Sequence, residues 1–333
     1  MTDLIKIAVD AMGGDGSPKK IIDGIILNHK SNNNNFFKIF GDKNKINEII
    51  NNKISKDFYE IVHTDHIVKS TDSPLEGAKR GKRTSMWLAV ESVKNKEADI
   101  VISAGNTGAL LVISKLNLKM LDSIDKPALT GLWPNKKGMS VVLDLGANIE
   151  CSAKNLFDFS IMGASLYTSL YPNEKPNVAL LNIGSEELKG NEIIKETYQI
   201  LNEKKSNNYN FAGYIEGNEL MDGKVNVIVS DGFTGNVALK TAEGTANFIT
   251  DELKKAMTGS IIGKISSLLN MSNLKKFKKR LDPRFYNGAI FIGLKSPVVK
   301  SHGGTDFVGF SSSLDVCNRI VKGNLIEKIK QNI

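Results

Sequence analysis

Five short clusters of glycine, asparagine, aspartate and threonine are places where backbone and side chain could grip an anion. They are IAVDAMGGDGSP (residues 7–18), VISAGNTGALL (101–111), VVLDLGAN (141–148), VALLNIGSEELKGNE (178–192) and VIVSDGFTGNVALK (227–240). Glycine lets N–H groups approach a ligand closely, and a helix start adds about half a positive charge, so such corners suit an oxyanion or a phosphate. One corner alone is most simply a connector between elements; five together favour a shared site. Residues 13–18 read GGDGSP, neither G-x-G-x-x-G nor a Walker sequence, which argues against a dinucleotide or ATP site.

Fewer side chains carry a chemical signal. His302 in VVKSHGGTD follows Lys300 and precedes a glycine pair; it is either a site residue or a structural turn histidine. Lys189 is either a site lysine or a solvated helix-start lysine. His63 and His66 have a metal-compatible spacing without a third ligand, so they read as a surface loop or strand end, and no metal is expected. Cys151 and Cys317 fit no C-x-x-C spacing, which leaves neither a disulfide framework nor a zinc site and points to a reducing cytosol.

The elements that must hold these corners are legible as a pattern. Apolar runs recur near 5–10, 36–41, 58–62, 98–103, 139–144, 176–182 and 225–230, mostly without alternation, as in strands covered on both faces. Between many lie helix-length segments: 18–30, 85–95, 106–119, 154–171, 191–205 and 234–257. That alternation predicts an α/β fold with a largely parallel sheet, whose carboxyl edge would collect all five corners. Asn-Lys patches near 43–56 and 203–208 read as solvated surface. No repeat and no Pro/Gly/Ser-rich linker divides the chain, so one domain over 1–333 is expected.

Composition fits a folded protein: 333 residues, 41% hydrophobic and 24% charged, too apolar for disorder. Neither a signal peptide nor a membrane span is expected. The net charge of +8 is local. Residues 259–283 (GSIIGKISSLLNMSNLKKFKKRLDP) carry Lys264, Lys275, Lys276, Lys278, Lys279 and Arg280 against Asp282, five of the eight net charges. Ile261, Ile262, Ile265, Leu268 and Leu269 form one helical stripe, continued by Leu274, Phe277 and Leu281. Such a basic amphipathic helix could lie in an anionic headgroup layer, pack on the core, or dock an acidic partner. Nucleic-acid binding is disfavoured, because only one aromatic, Phe277, accompanies the lysines.

The motifs carry a resemblance. IAVDAMGGDGSP, SAGNTGALL, DLGAN, LNIGSEELKGNE, YIEGNEL, SDGFTGNVALKT, DPRFYNGAIFIGLK and VVKSHG resemble, in order, the motifs of the PlsX family of bacterial phosphate acyltransferases of phospholipid synthesis, from residue 7 to residue 303. The resemblance implies an enzyme moving a long-chain acyl group from acyl carrier protein to inorganic phosphate. It implies a Rossmann-like three-layer α/β/α sandwich of the phosphotransacetylase and isocitrate dehydrogenase kind, with the amphipathic segment as an extension. It also implies a cytoplasmic homodimer, peripheral at the membrane, handing acyl phosphate to an integral membrane glycerol-3-phosphate acyltransferase, with no nucleic-acid partner. One departure is Thr84-Ser85-Met86-Trp87, where the family usually has Ser-Ser-Met-Arg; a phosphate-attracting role of that arginine would fall to Lys82 or Arg83.

Phosphate is itself a nucleophile, so the chemistry needs positioning, charge neutralisation and oxyanion donors, with no covalent acyl-enzyme and no cofactor. Phosphate is expected between the Gly105-Asn106-Thr107 and Thr234-Gly235-Asn236 turns. Lys189, Asn236 and His302 are the candidate catalytic residues. Gly13, Gly14, Gly105, Asn106, Thr107, Asn148, Asp231, Thr234 and Gly235 are the candidate binding residues, while Asp10, Asp15 and Asp231 would brace loops. Ile261, Ile265, Leu268, Leu269, Lys275, Lys276, Lys278 and Lys279 are candidates for membrane or carrier-protein contact. The competing readings are a phosphotransacetylase-like enzyme for short acyl-coenzyme A, which would not need the amphipathic segment, and a membrane or nucleic-acid scaffold, which would have no use for five glycine corners.

Overall fold

The computed structural model describes residues 4–333. The first half contains β1 (Ile5–Asp10), α1 (Lys19–Ser31), β2 (Asn35–Gly41), α2 (Lys43–Ile50), β3 (Tyr59–His63), α3 (Pro74–Arg80), α4 (Ser85–Lys94), β4 (Ile100–Ser103) and α5 (Thr107–Leu118). Then come β5 (Ala128–Asn135), β6 (Gly138–Leu143), α6 (Ala153–Leu170), β7 (Asn177–Asn182), α7 (Glu192–Glu203), β8 (Asn210–Glu216) and β9 (Val227–Val229). The chain closes with α8 (Gly232–Thr258), α9 (Ile261–Leu269), α10 (Met271–Leu281), β10 (Ala289–Ile292), β11 (Val298–Lys300), α11 (Phe307–Lys322) and α12 (Leu325–Asn332).

The strands lie in the order β3-β2-β1-β4-β11-β10-β5-β6-β9-β7-β8. Alternation within each strand divides its side chains between two layers. In β1, Ile7 and Val9 join the core shared with α1 and α11, while Ala8 faces the one built by α4 and α5. In β9, Val227 and Val229 point toward α6, and Ile228 toward Ala238, Leu239 and Ala242 of α8. Both faces are therefore covered, and the fold is the expected mostly parallel α/β sandwich.

Strand direction departs from expectation. β3, β2, β1, β4 and β11 run parallel, as do β6, β9, β7 and β8. Between these sets, β11/β10, β10/β5 and β5/β6 are all antiparallel. Three reversals turn the second set opposite to the first, so the carboxyl ends of the two sets fall on opposite edges. The five corners do not share one edge, because β5 and β10 interrupt the parallel order.

Local departures have local causes. The patch near 43–56, read as solvated surface, contains α2: Asp42 caps it by accepting from the N–H groups of Asn44 and Lys45, and Ile46 and Ile50 are buried one turn apart. Residues 259–283 form two helices broken at Asn270 instead of one continuous stripe, with no buried residue in either. None of the helices described is long and apolar enough to cross a membrane.

Candidate active site

The ends of β1, β4 and β11 are adjacent, and they build a cavity of about 460 Å3 lined by Gly14, Asp15, Gly105 to Gly108, Lys300 and His302 to Gly304, with Val68, Ser70 and Ala104 completing the wall. Its floor is organised by Asp10, which is fully buried. The carboxylate accepts from the hydroxyls of Ser85 and Ser103, each at 2.6 Å, and from the Met12 N–H at 3.3 Å. Ser103 in turn accepts from the Gly105 N–H at 3.0 Å, so one acid ties β1, α4 and the second corner together. Burial pushes the Asp10 carboxyl above its ordinary range, and the serine donors oppose this. Gly13 sits so close that a Cβ there would lie 2.5 Å from the Gly105 nitrogen and 2.8 Å from the Asp10 carboxylate.

Of the expected binding residues, Gly14, Gly105, Asn106 and Thr107 line this cavity with His302, and Gly13 packs against Gly105 behind it. The Asn106 side chain is occupied: Oδ1 caps α5 by accepting from the Ala109 N–H at 3.0 Å, and Nδ2 donates to the carbonyls of Ser70 and Asp72. The donors left at this helix start are the first-turn N–H groups of Thr107 and Gly108, which have no intrahelical acceptor. His302 accepts from the Gly304 N–H through Nδ1 at 3.2 Å. Burial and then the charge of Lys300 lower its pKa, so near neutral pH the ring is uncharged with its proton on Nε2, a hydrogen-bond donor.

Asn148, Asp231, Thr234, Gly235 and Asn236 form a second group, at the ends of β6 and β9. Buried Asp144 accepts from the N–H groups of Leu129, Gly146, Ala147 and Asn148 and from the Asn148 amide. Asn148 donates also to the Pro127 carbonyl at 2.7 Å, so its side chain serves the loop. Asp231 caps α8, accepting from the Thr234 N–H and hydroxyl at 2.8 and 2.9 Å. Any Cβ on Gly235 would overlap the Asp144 carbonyl oxygen, which fixes the root of α8 against β6. Asn236 is exposed beside Gly146. Lys189 stands apart in the loop after β7, exposed, with its carbonyl accepting from Asn182 at 3.1 Å.

α8 links the two groups. It starts at the second, and the charges of its Lys240 and Glu243 act on His302 in the first. Thr234, Gly235 and Asn236 are not among the residues that line the cavity of the Gly105 turn.

Several features were not legible beforehand. Lys300 is 7% exposed despite being a lysine; Lys20 donates to the Gly303 carbonyl; and Ile149, Ile183, Leu188 and Phe233 stand largely exposed around the second group. Ser85 holds Asp10, Met86 packs toward Gly105, and Trp87 is half-buried in the neighbouring core. Lys82 and Arg83 are exposed and line no part of the cavity. Cys151 and Cys317 are buried; burial pushes the Cys151 thiol up to about 11 and raises that of Cys317.

Comparison with known proteins shows the family and the fold. The family described as "Fatty acid synthesis protein" matches residues 5–328. The chain is 75% identical over 333 residues to a phosphate acyltransferase of Pelagibacter ubique, covering 100% of both proteins. It is 40% identical over 339 residues to one of Maricaulis maris, covering 100% of this chain and 96% of that protein. Among solved structures it is similar in fold to the EutD phosphotransacetylase from Staphylococcus aureus (TM-score 0.62, 13% identity, 97% and 94% of the two chains). A phosphotransacetylase from Streptococcus pyogenes is similar too (TM-score 0.63, 16% identity, 97% and 94%). A match spanning almost the whole chain, carried by a relative of the same length, places this protein in the PlsX family of phosphate acyltransferases, enzymes of the acyltransferase type in fatty acid and phospholipid synthesis.

Proposed function

We propose that the protein transfers a long-chain fatty acyl group from acyl-[acyl carrier protein] to inorganic phosphate, releasing acyl phosphate and free carrier. The observation that carries this reading is the cavity at the ends of β1, β4 and β11, where first-turn N–H groups of α5, a neutral His302 donor and glycine corners surround a space of about 460 Å3. A phosphate oxygen held there attacks the thioester carbonyl carbon, the C=O electrons move to an oxyanion, and collapse breaks the C–S bond. The electron pair leaves on the carrier thiolate, whose ordinary pKa near about 8.5 makes a strong general acid unnecessary. The raised thiols of Cys151 and Cys317 favour this direct attack over an acyl-cysteine.

The second group is assigned to the thioester. Asn236 is exposed there and Lys189 is exposed in the loop after β7, while Ile149, Ile183, Leu188 and Phe233 offer an apolar rim suited to an acyl chain. We further assign the chain to the cytoplasm as one folding unit and as a homodimer. The exposed apolar residues and lysines of α9 and α10 would meet an anionic membrane or the carrier, near the membrane glycerol-3-phosphate acyltransferase that takes the product.

Hydroxylamine trapping of acyl phosphate, from a long-chain acyl carrier thioester with and without phosphate, tests the reaction. Product is expected only with phosphate, and Lys189→Ala and Asn236→Ala are expected to lose at least about tenfold in turnover, about 1.4 kcal/mol of barrier. Phosphate-independent product, or wild-type rates from both variants, refutes the assignment. A parallel arm with short acyl-coenzyme A, the substrate type suggested by the phosphotransacetylase neighbours, decides between the two donors.

A further inference from the structure

Two ammonium groups approach the cavity, and among the described residues neither forms a salt bridge. Lys300 lines it, donates to the Ser301 carbonyl and forms no salt bridge among the described residues. Lys20, in the first turn of α1, donates to the carbonyl of Gly303, itself a cavity residue, and would lie 3.0 Å from a Cβ on Gly14. The charged groups acting on Lys300 are Lys20 from α1 and Asp10 from β1; its neighbour His302 is uncharged, and Asp15 acts on Lys20. Asp10 is already engaged by two serine hydroxyls and an N–H. A buried ammonium without an ion pair is costly, and a second cation beside it adds to the cost. A dianion between the two would relieve both terms, whereas a purely structural lysine would have no reason to sit beside another.

We propose that Lys300 is an anion-binding residue of this cavity, its ammonium passing from the Ser301 carbonyl to an oxygen of the bound phosphate with Lys20 as the second cation. The inference rests on the phosphate reading made above and adds the groups that neutralise the dianion. Burial, and secondarily Lys20, push the Lys300 pKa down to about 8. Anion affinity should therefore fall as pH rises through that value, because the free protein loses the proton that the complex needs.

Calorimetric titration of the full chain, without thioester, tests this with inorganic phosphate and with sulfate, whose charge is constant over the range. At pH 7, Lys300→Met is expected to weaken both anions at least about tenfold, as loss of a buried charge contact implies. Wild type should bind about tenfold more weakly at about pH 9.5 than at pH 7, and Lys300→Arg, which stays charged, should not. The proposal is overturned if Lys300→Met, with an unchanged circular dichroism spectrum, binds phosphate as wild type does, or if the alkaline weakening survives in Lys300→Arg. Should the methionine variant misfold, the arginine pH comparison decides alone. The two assignments fail separately: intact Lys300-dependent anion binding without acyl phosphate production sinks the reaction, and acyl phosphate production with Lys300-independent binding sinks only the role of Lys300.

Discussion

Replacing Lys300 by methionine should make the unliganded protein more stable at pH 7. The lysine pKa falls from 10.5 to about 8 on folding, and at about 1.4 kcal/mol per pKa unit the folded state bears roughly 3 kcal/mol for keeping that proton at pH 7. Methionine fills a similar volume without charge, while losing the bond to the Ser301 carbonyl returns about 1 kcal/mol to wild type. A net gain of about 2 kcal/mol remains for the variant. The sign follows from linkage: between about pH 8 and 10.5 the unfolded chain holds a proton that the folded chain has released, so wild type gains stability as pH rises. The variant's advantage should thus shrink to near zero by about pH 10. Urea unfolding of both proteins at pH 7, 8.5 and 10 measures the gap. Adding phosphate at about a hundred times the wild-type Kd should narrow the gap at pH 7 to under about 1 kcal/mol, since binding stabilises wild type by about 2.7 kcal/mol and a variant that binds about tenfold more weakly by only about 1.4 kcal/mol. A gap that stays constant with pH, or a methionine variant less stable at pH 7, would refute the account of Lys300 as a buried, unanswered charge.

Other substitutions report on other parts of the molecule. Gly235→Ala would force its Cβ into the Asp144 carbonyl, so its melting temperature should drop in a thermal scan by an amount matching at least about 2 kcal/mol, the scale of an overpacked site; an unchanged melting temperature contradicts the tight root of α8. Cys151→Ala should retain turnover within about threefold, because a thiol whose pKa is pushed up to about 11 is not a nucleophile near neutral pH; loss of acyl phosphate production in a folded variant would point to an acyl-cysteine. Changing Ile265 and Leu268 to aspartate should abolish flotation with anionic vesicles while leaving acyl phosphate formation from soluble thioester intact; equal flotation removes α9 from membrane contact.

The parts of this fold legible in the sequence are those whose cause is local. β1 is an apolar run interrupted by Lys6 and β4 is an apolar run closed by a serine, each followed within three residues by a glycine, and α5 begins at an asparagine that caps it. What escaped was non-local. Strands β10 and β11 span four and three residues, too short to show a period, and β11 ends in a lysine that reads as surface. Its burial comes from position, wedged between β4 and β10, and no neighbour in sequence announces it. The reversed direction of the second strand set was hidden likewise, since an apolar run does not say which way it points. In the site, the glycines of the first cavity were visible by type, but the cations behind them and the engagement of Asn106 and Asn148 in loop bonds required the packed structure.

The anchoring of α8 has a mechanical consequence. At 27 residues the helix is about 40 Å long; its beginning is wedged at Gly235, and from Glu243 to Ala256 every residue is exposed. It is a cantilever, and a tilt of only about 5° at the wedge would sweep its tip, with α9 and α10 attached, by roughly 3 Å. Whatever those terminal helices lean upon can thereby pull on the loop that follows β6, at the far end of the lever from the load.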